Sequence, residues 1–146
     1  MQEFPHHYVA AASAEPAGSV EVTSRGLASL ETASPAEFGG PGDLWSPETL
    51  LVAAVADCFI LGFRAITRAA RFDWERLSCD IVGELDRVDK VTQFTAFRIR
   101  ARLEIPRTSN PDKATQLLEK AKKTCLITNS MTAGTELQAD VSIAAS

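Results

Sequence analysis

The chain has 146 residues, 45% hydrophobic and 23% charged, which is enough for one globular domain with a real core and excludes a disordered chain. Lys and Arg number 15 against 19 Asp and Glu, and a net charge of −4 lacks the basic field of a nucleic-acid binder. The longest apolar stretch, Leu50 to Phe63, holds Asp57 and is too short to span a bilayer, and Met1 to His7 has no basic segment leading into an apolar run. No membrane partner, no nucleic-acid partner and no secretory signal are therefore expected.

Tyr8–Ser13, Gly18–Thr23 and Leu27–Glu31 are expected as short strands, followed by an irregular Pro/Gly loop over Thr32–Asp43. Ser46-Pro47-Glu48 is a helix start, with a Ser cap, Pro at the first position and an acid in the first turn. That helix is expected to run to about Arg71, with a stripe of Leu51, Val55, Cys58, Gly62, Ala65 or Ile66, and Ala69. Its first half is apolar nearly all round, which predicts a central position. Leu77–Asp86 and Phe97–Ile105 alternate as half-buried strands, joined by a loop at Asp89-Lys90. Opposite charges on their outer faces favour antiparallel pairing. The row Arg98, Arg100, Arg102 reads as a solvated face paired with acidic neighbours. A second helix starts at Asn110-Pro111-Asp112, with Ala114, Leu117, Leu118, Ala121 and Cys125 on one face, and Glu136–Ile143 is the last strand.

The three cysteines, Cys58, Cys79 and Cys125, form no CxxC, and the only histidines are the adjacent His6 and His7. Neither a disulfide framework nor a zinc site is expected. Each cysteine is left as a buried hydrophobe, a reactive thiol or half of a redox pair. Cys79 alternates with core residues and reads as structural. Cys58 and Cys125 lie 67 residues apart, so only the fold can bring them together. Glu48 and Cys58 are ten residues apart on one helix, roughly 15 Å. If both serve one site, either the helix breaks or a second chain supplies one of them.

Ser46-Pro47-Glu48-Thr49-Leu50 through Ala53-Ala54-Val55-Ala56-Asp57-Cys58-Phe59 resembles the N-P-E-x-L…A-A-x-x-A-C-F signature of the OsmC/Ohr family, the osmotically induced and organic hydroperoxide resistance proteins. Cys125-Leu126-Ile127-Thr128-Asn129-Ser130 resembles its second motif, C-P-x-S-N-A, and Gly39-Gly40-Pro41-Gly42 with the element order extends the match over nearly the whole chain.

The resemblance implies a single OsmC-like domain over residues 1–146, of α+β class. In it, curved antiparallel sheets pack on two main helices, and two chains intertwine as a cytoplasmic homodimer. It implies a thiol-dependent peroxidase for organic hydroperoxides. Cys58 corresponds to the thiol that attacks the peroxide and becomes a sulfenic acid, and Cys125 to the thiol that resolves it as a disulfide. Glu48 corresponds to the glutamate that orients an activating arginine. No metal or prosthetic group is implied, only an external dithiol reductant such as a lipoyl group on a protein. The family's arginine has no counterpart in Ala14–Gly18 or Glu37–Gly40, and Arg25 is the only arginine before Glu48. The alternative is a dimer that keeps the fold and binds an apolar small molecule at its interface without efficient chemistry. Trp45, Phe59 and Phe63 are candidate pocket-lining residues, with core packing the expected role for the two phenylalanines.

Overall fold

The computed structural model describes residues 1–145, folded as two compact units, Met1–Leu50 and Leu51 onward. In the first, β1 (Ala11–Ser13), β2 (Val20–Thr23) and β3 (Leu30–Thr32) form an antiparallel meander. The first strand begins at Ala11 rather than Tyr8. The third is displaced from Leu27–Glu31 because the Leu27 amide closes a turn onto the Ser24 carbonyl at 3.1 Å. In the following loop a 3-10 turn, Ala36–Phe38, ends at Gly39 in the left-handed region. A Cβ on Gly40 would stand 1.7 Å from the Ser34 carbonyl oxygen, so this tight fold of the chain requires glycine.

The long helix α1 spans Pro47–Ala70 without interruption. At its start the Thr49 amide donates to Ser46 Oγ at 3.1 Å and the Ser46 amide donates to Thr49 Oγ1 at 2.9 Å. This is a reciprocal capping box with threonine in the place usually held by Glu or Gln. At its end Arg71 adopts φ 52, the Phe72 amide reaches Thr67 O at 2.9 Å and the Arg71 amide reaches Arg68 O at 3.3 Å. The stop is a Schellman motif with arginine standing where glycine is usual. With 24 residues and a mean hydropathy of 1.9, α1 is longer than the Leu50–Phe63 stretch and is long and apolar enough to cross a bilayer by those two measures. A core helix passes the same test, and α1 puts a stripe of side chains into the core of the second unit.

That unit is built on a three-stranded sheet in the order β4 (Arg76–Val88), β5 (Val91–Ile105), β6 (Gly134–Ile143). β4 and β5 form the expected antiparallel hairpin, with Leu77 opposite Leu103 and Ile81 opposite Ile99. Both strands run further than the alternation showed. Their two-residue turn, Asp89-Lys90, has positive φ at both positions, the conformation whose twist suits a tight hairpin. A bulge between Glu84 and Leu85 leaves Thr95 without a cross-strand partner, and its hydroxyl donates to Glu84 O at 3.3 Å.

β6 runs parallel to β5, with Phe97 beside Thr135 and Leu103 beside Val141. The antiparallel expectation thus holds for the other pairings and fails for this one. The reason is the connection: α2 (Pro111–Lys123) and a short α3 (Leu126–Asn129) lie between the two strands, and a parallel neighbour needs such a crossover. α2 starts as expected, with Asn110 Oδ1 accepting from the amides of Asp112 and Lys113 at 2.8 and 3.2 Å. It ends one residue before Thr124, so Cys125 is not its last residue but the cap of α3.

The core joins Phe97, Ile99, Ala101, Leu103 and Ile105 of β5 to Ala114, Leu117, Leu118 and Ala121 of α2 and to Val55, Phe59 and Phe63 of α1. The β5 alternation and the α2 face are as the sequence predicts. The α1 face is not. Its buried stripe is Val55, Phe59, Phe63 and Thr67, one residue further round than the predicted Cys58 and Gly62 stripe. Ring area explains the phase, since burying Phe59 and Phe63 removes far more apolar surface from water than burying Cys58 and Gly62. The Thr67 hydroxyl donates to Phe63 O at 2.9 Å and accepts from Trp74 Nε1 at 2.9 Å, so the one polar member of the stripe is satisfied. The expectation of an enclosed helix is also revised, because Leu61 stays 50% exposed and most of α1 outside the stripe is at the surface or half-buried.

β4 approaches α1 closely at Gly83, where an added Cβ would lie 2.7 Å from Val52 Cγ2 and 3.0 Å from the Phe94 ring. Gly83→Val is expected to lower unfolding free energy in urea by about 1–3 kcal/mol through overpacking. Gly134→Ala, which meets nothing within 4 Å, is expected to stay within about 0.5 kcal/mol of the parent.

Candidate functional site

The phase of α1 decides where Cys58 goes. With Phe59 and Phe63 in the core, Cys58, Ala54, Leu61 and Gly62 turn toward the segment joining α2 to α3. Together with Asp57, Thr124, Leu126 and Ile127 they line an open groove of about 440 Å³. Cys125 lies beneath it, 2% exposed. The Cys58 and Cys125 thiols are in contact and share a hydrogen bond. Both are free thiols.

The chain break between α2 and α3 supplies the polar surroundings of the pair. Cys125 caps α3 with extended backbone (φ −63, ψ 110), which directs the first amides of α3 back toward the two sulfurs. The amides of Leu126 and Ile127 face Cys58, and those of Ile127 and Thr128 face Cys125. The Thr128 hydroxyl has one proton and two acceptors in reach, the Cys125 sulfur and the Cys125 carbonyl oxygen at 3.2 Å. The carbonyl already accepts from the Asn129 amide at 3.0 Å, which leaves the hydroxyl free to serve the sulfur.

The two thiols ionise differently. Burial pushes the Cys58 thiol up, and the hydrogen bond and charge of Cys125 add to that against the pull of the Ile127 and Leu126 amides. Burial acts on Cys125 in the same direction. There the Thr128 hydroxyl and amide, the Cys58 thiol and the Ile127 amide outweigh it, and Cys125 falls below the ordinary thiol value. The geometry makes Cys58 the accessible sulfur and Cys125 the acidic one.

Glu48 is not brought to this pair within the chain. α1 is unbroken, so Glu48 remains ten residues from Cys58, about 15 Å of helix rise. Its Oε2 is buried and has no hydrogen-bond partner among the described residues. Arg25 is exposed and makes no ion pair among them. Cys79 sits on the inner face of β4, half-buried, with its thiol 3.9 Å from Ala56 O, a long contact that fits the structural role expected of it. Phe59 and Phe63 are core residues, and Trp45, 49% exposed, is bridged to Thr32 rather than lining the groove. The arginine row is paired as its alternation suggests. Arg98 bonds Glu84, Arg100 meets Asp140 at 3.5 Å and Arg102 meets Asp80 at 2.8 Å, all on the exposed face of the sheet. Among the described residues no group of three or more His, Cys, Asp or Glu side chains is placed to hold a metal ion.

Sequence reasoning missed two contributors. Asp57 points into the groove as its one charged lining residue, and Thr128 lies under Cys125 as a donor. The signal for Asp57 was the corrected helix phase, and for Thr128 the three-residue spacing from a capping residue.

The fold and the paired thiols define an α+β protein of the kind built around two cysteines on separate helices. The sequence pattern of the OsmC family of OsmC-like proteins matches residues 40–140, and the chain belongs to that family. It is 25% identical over 112 residues to the uncharacterized protein YmaD of Bacillus subtilis (strain 168), covering 75% of each chain. An OsmC-like protein of unknown function from Vibrio cholerae has the same fold, with a TM-score of 0.85 at 18% identity over 93% of this chain and 100% of that one. An organic hydroperoxide resistance protein OsmC from Legionella pneumophila superposes with a TM-score of 0.75 at 26% identity over 96% and 99% of the two chains.

One carboxylate beside the accessible thiol predicts a charge preference. Cys58 is expected to react with iodoacetamide faster than with iodoacetate, beyond the intrinsic difference of the two reagents. Asp57→Asn should reduce that excess by a few-fold, since one exposed charge at this range is worth about 1 kcal/mol or less. Alkylation rates of Cys58, followed by peptide mass mapping, measure it.

Proposed function

We propose that the chain is a cytoplasmic, homodimeric thiol peroxidase for organic hydroperoxides. The observation that carries the reading is the contact between Cys58 and Cys125, 67 residues apart in sequence and adjacent in space. Cys58, at the groove, attacks the terminal oxygen of the hydroperoxide and becomes a sulfenic acid while an alcohol leaves. Cys125 then attacks the Cys58 sulfur, water is released and a Cys58–Cys125 disulfide forms. A dithiol reductant, such as a lipoyl group on a protein, restores both thiols by exchange. The groove walls, Ala54, Leu61, Gly62, Leu126 and Ile127, suit an apolar alkyl or aryl substrate. The 26%-identical organic hydroperoxide resistance protein supports the same substrate class.

The dimer is part of the proposal. Leu61 and Leu126, 50% and 66% exposed, flank the groove and leave apolar surface that a second copy would cover. In this reading Glu48 enters the site of the second copy as a positioning residue, as the length of α1 requires. Its buried, unpartnered oxygen is the feature that supports it. Sedimentation of the reduced protein is expected to give a dimer, and Leu61→Asp is expected to shift it toward monomer.

One mole of cumene hydroperoxide per mole of reduced protein is expected to remove two hydrogens from the intact mass, by closing the Cys58–Cys125 disulfide. Cys58→Ser should abolish peroxide consumption, and Cys125→Ser should consume one equivalent but stop at a trappable sulfenic acid. A specific observation favours a second reading, an apolar-ligand-binding dimer without redox chemistry: no lysine or arginine stands among the groups that set the ionisation of either thiol. Unaltered thiols after peroxide treatment would select that reading and reject the peroxidase.

A further inference from the structure

A thiol attacks as its thiolate, so the proton of Cys58 must leave at the moment of attack. A peroxide also needs a proton for the oxygen that departs. Around Cys58 the structure offers no cation that could assist with either proton. Ala54, Leu61, Gly62, Leu126 and Ile127 are apolar, Thr124 is neutral with its hydroxyl committed to Lys120 O at 2.9 Å, and the one charged neighbour in the groove, Asp57, is an anion. What does touch the Cys58 thiol is Cys125. That sulfur is held beneath the groove, out of reach of a substrate, against the Thr128 hydroxyl and the Ile127 and Thr128 amides.

We propose that Cys125 is the proton carrier for Cys58, acting as general base when Cys58 attacks and as general acid toward the leaving oxygen, before it serves as the resolving thiol. The inference deepens the peroxidase reading and rests on it for its substrate. Three features of the geometry support it. The two sulfurs already share a hydrogen bond, so the transfer needs no rearrangement. The donors that converge on Cys125 are fixed by the α3 backbone and by Thr128, and all of them favour sulfur in its charged form. Cys58 opens onto the groove while Cys125 does not, which separates the group that meets the electrophile from the group that handles its proton. The direction of ionisation agrees, with Cys125 below the ordinary thiol value and Cys58 above it.

The resting pair is Cys58–SH beside Cys125–S⁻. The Cys58 proton passes to Cys125, and the electron pair it leaves on Cys58 sulfur forms an S–O bond to the terminal oxygen of the hydroperoxide. The O–O bond breaks, and the departing alkoxide takes the proton from Cys125 and leaves as the alcohol. The products are Cys58–SOH, an alcohol and Cys125–S⁻. That thiolate then attacks the Cys58 sulfur, the S–O bond breaks, and hydroxide leaves to be protonated by solvent. Sulfur is oxidised by two electrons in the first step, and the disulfide holds those two electron equivalents at the end.

The test is the first turnover of reduced protein with one equivalent of cumene hydroperoxide, measured as peroxide loss. A thiol that only resolves acts after this step, and Cys125→Ser would then leave its rate unchanged. As proton carrier, Cys125 makes the same substitution slow the step by about 100-fold or more. Cys125→Asp, which restores a base but cannot form a disulfide, is expected to recover most of the rate. An unchanged rate in Cys125→Ser overturns the inference while leaving the peroxidase reading intact.

If the parent protein proves inert to the peroxide, the peroxidase reading fails alone, because bromobimane alkylation of Cys58 poses the same proton problem. The pH profile of that alkylation is expected to shift in Cys125→Ser and to return toward the parent in Cys125→Asp. Coincident profiles would overturn the inference. Should Cys125→Ser not fold, thiolate absorbance of the parent decides: one thiolate is expected to form below the ordinary cysteine value, and its absence overturns the proposal.

Discussion

The seating of Phe59 and Phe63 in the core beneath α1 fixes the rotation of that helix, and the rotation determines everything at the site. Both rings are fully buried, and Val55 and Thr67 continue the same stripe. A helix turns about 100° per residue, so committing residue 59 to the core sends residue 58 to the border of the packed face. There Cys58 meets the α2–α3 junction on one side and solvent on the other. A helix seated on Cys58 and Gly62 would have buried the thiol and closed the groove.

Much of this was legible in the sequence, for reasons that differ by element. The β5 alternation of apolar residues with Arg98, Arg100 and Arg102 has only one sensible placement on a sheet, and the charge pairs with Glu84, Asp140 and Asp80 follow from it. The helix starts at Ser46 and Asn110 were legible because caps are local chemistry. The α1 face was not, because an all-round apolar helix carries no contrast by which periodicity can choose a face. The parallel placement of β6 was equally hidden, since alternation is the same in both directions and only the crossover decides. The juxtaposition of Cys58 with Cys125 came from motif resemblance and was beyond the reach of spacing, because contacts between residues this far apart depend on the assembled fold.

The electrostatics of the chain are divided. Its arginines on β5 are spent in pairs on the outer face of the sheet, away from the groove, and the polar help at the thiols comes from backbone amides and a hydroxyl. Such groups are held by secondary structure and do not depend on the rotamer of a long side chain. They favour whichever sulfur lies nearest the start of α3, and that is Cys125.

The position of Cys125 at the joint between α2 and α3 has a mechanical consequence. The joint lies on the crossover that carries the chain from β5 to β6, whereas Cys58 belongs to the helix packed on the same core. A covalent bond between them would close a loop across most of the second unit, and a loop of that length restricts the unfolded chain by about 4 kcal/mol in the simple entropy picture. The oxidation state of the pair is thereby also a latch, and the same two atoms set how tightly the crossover is tied to the rest of the fold.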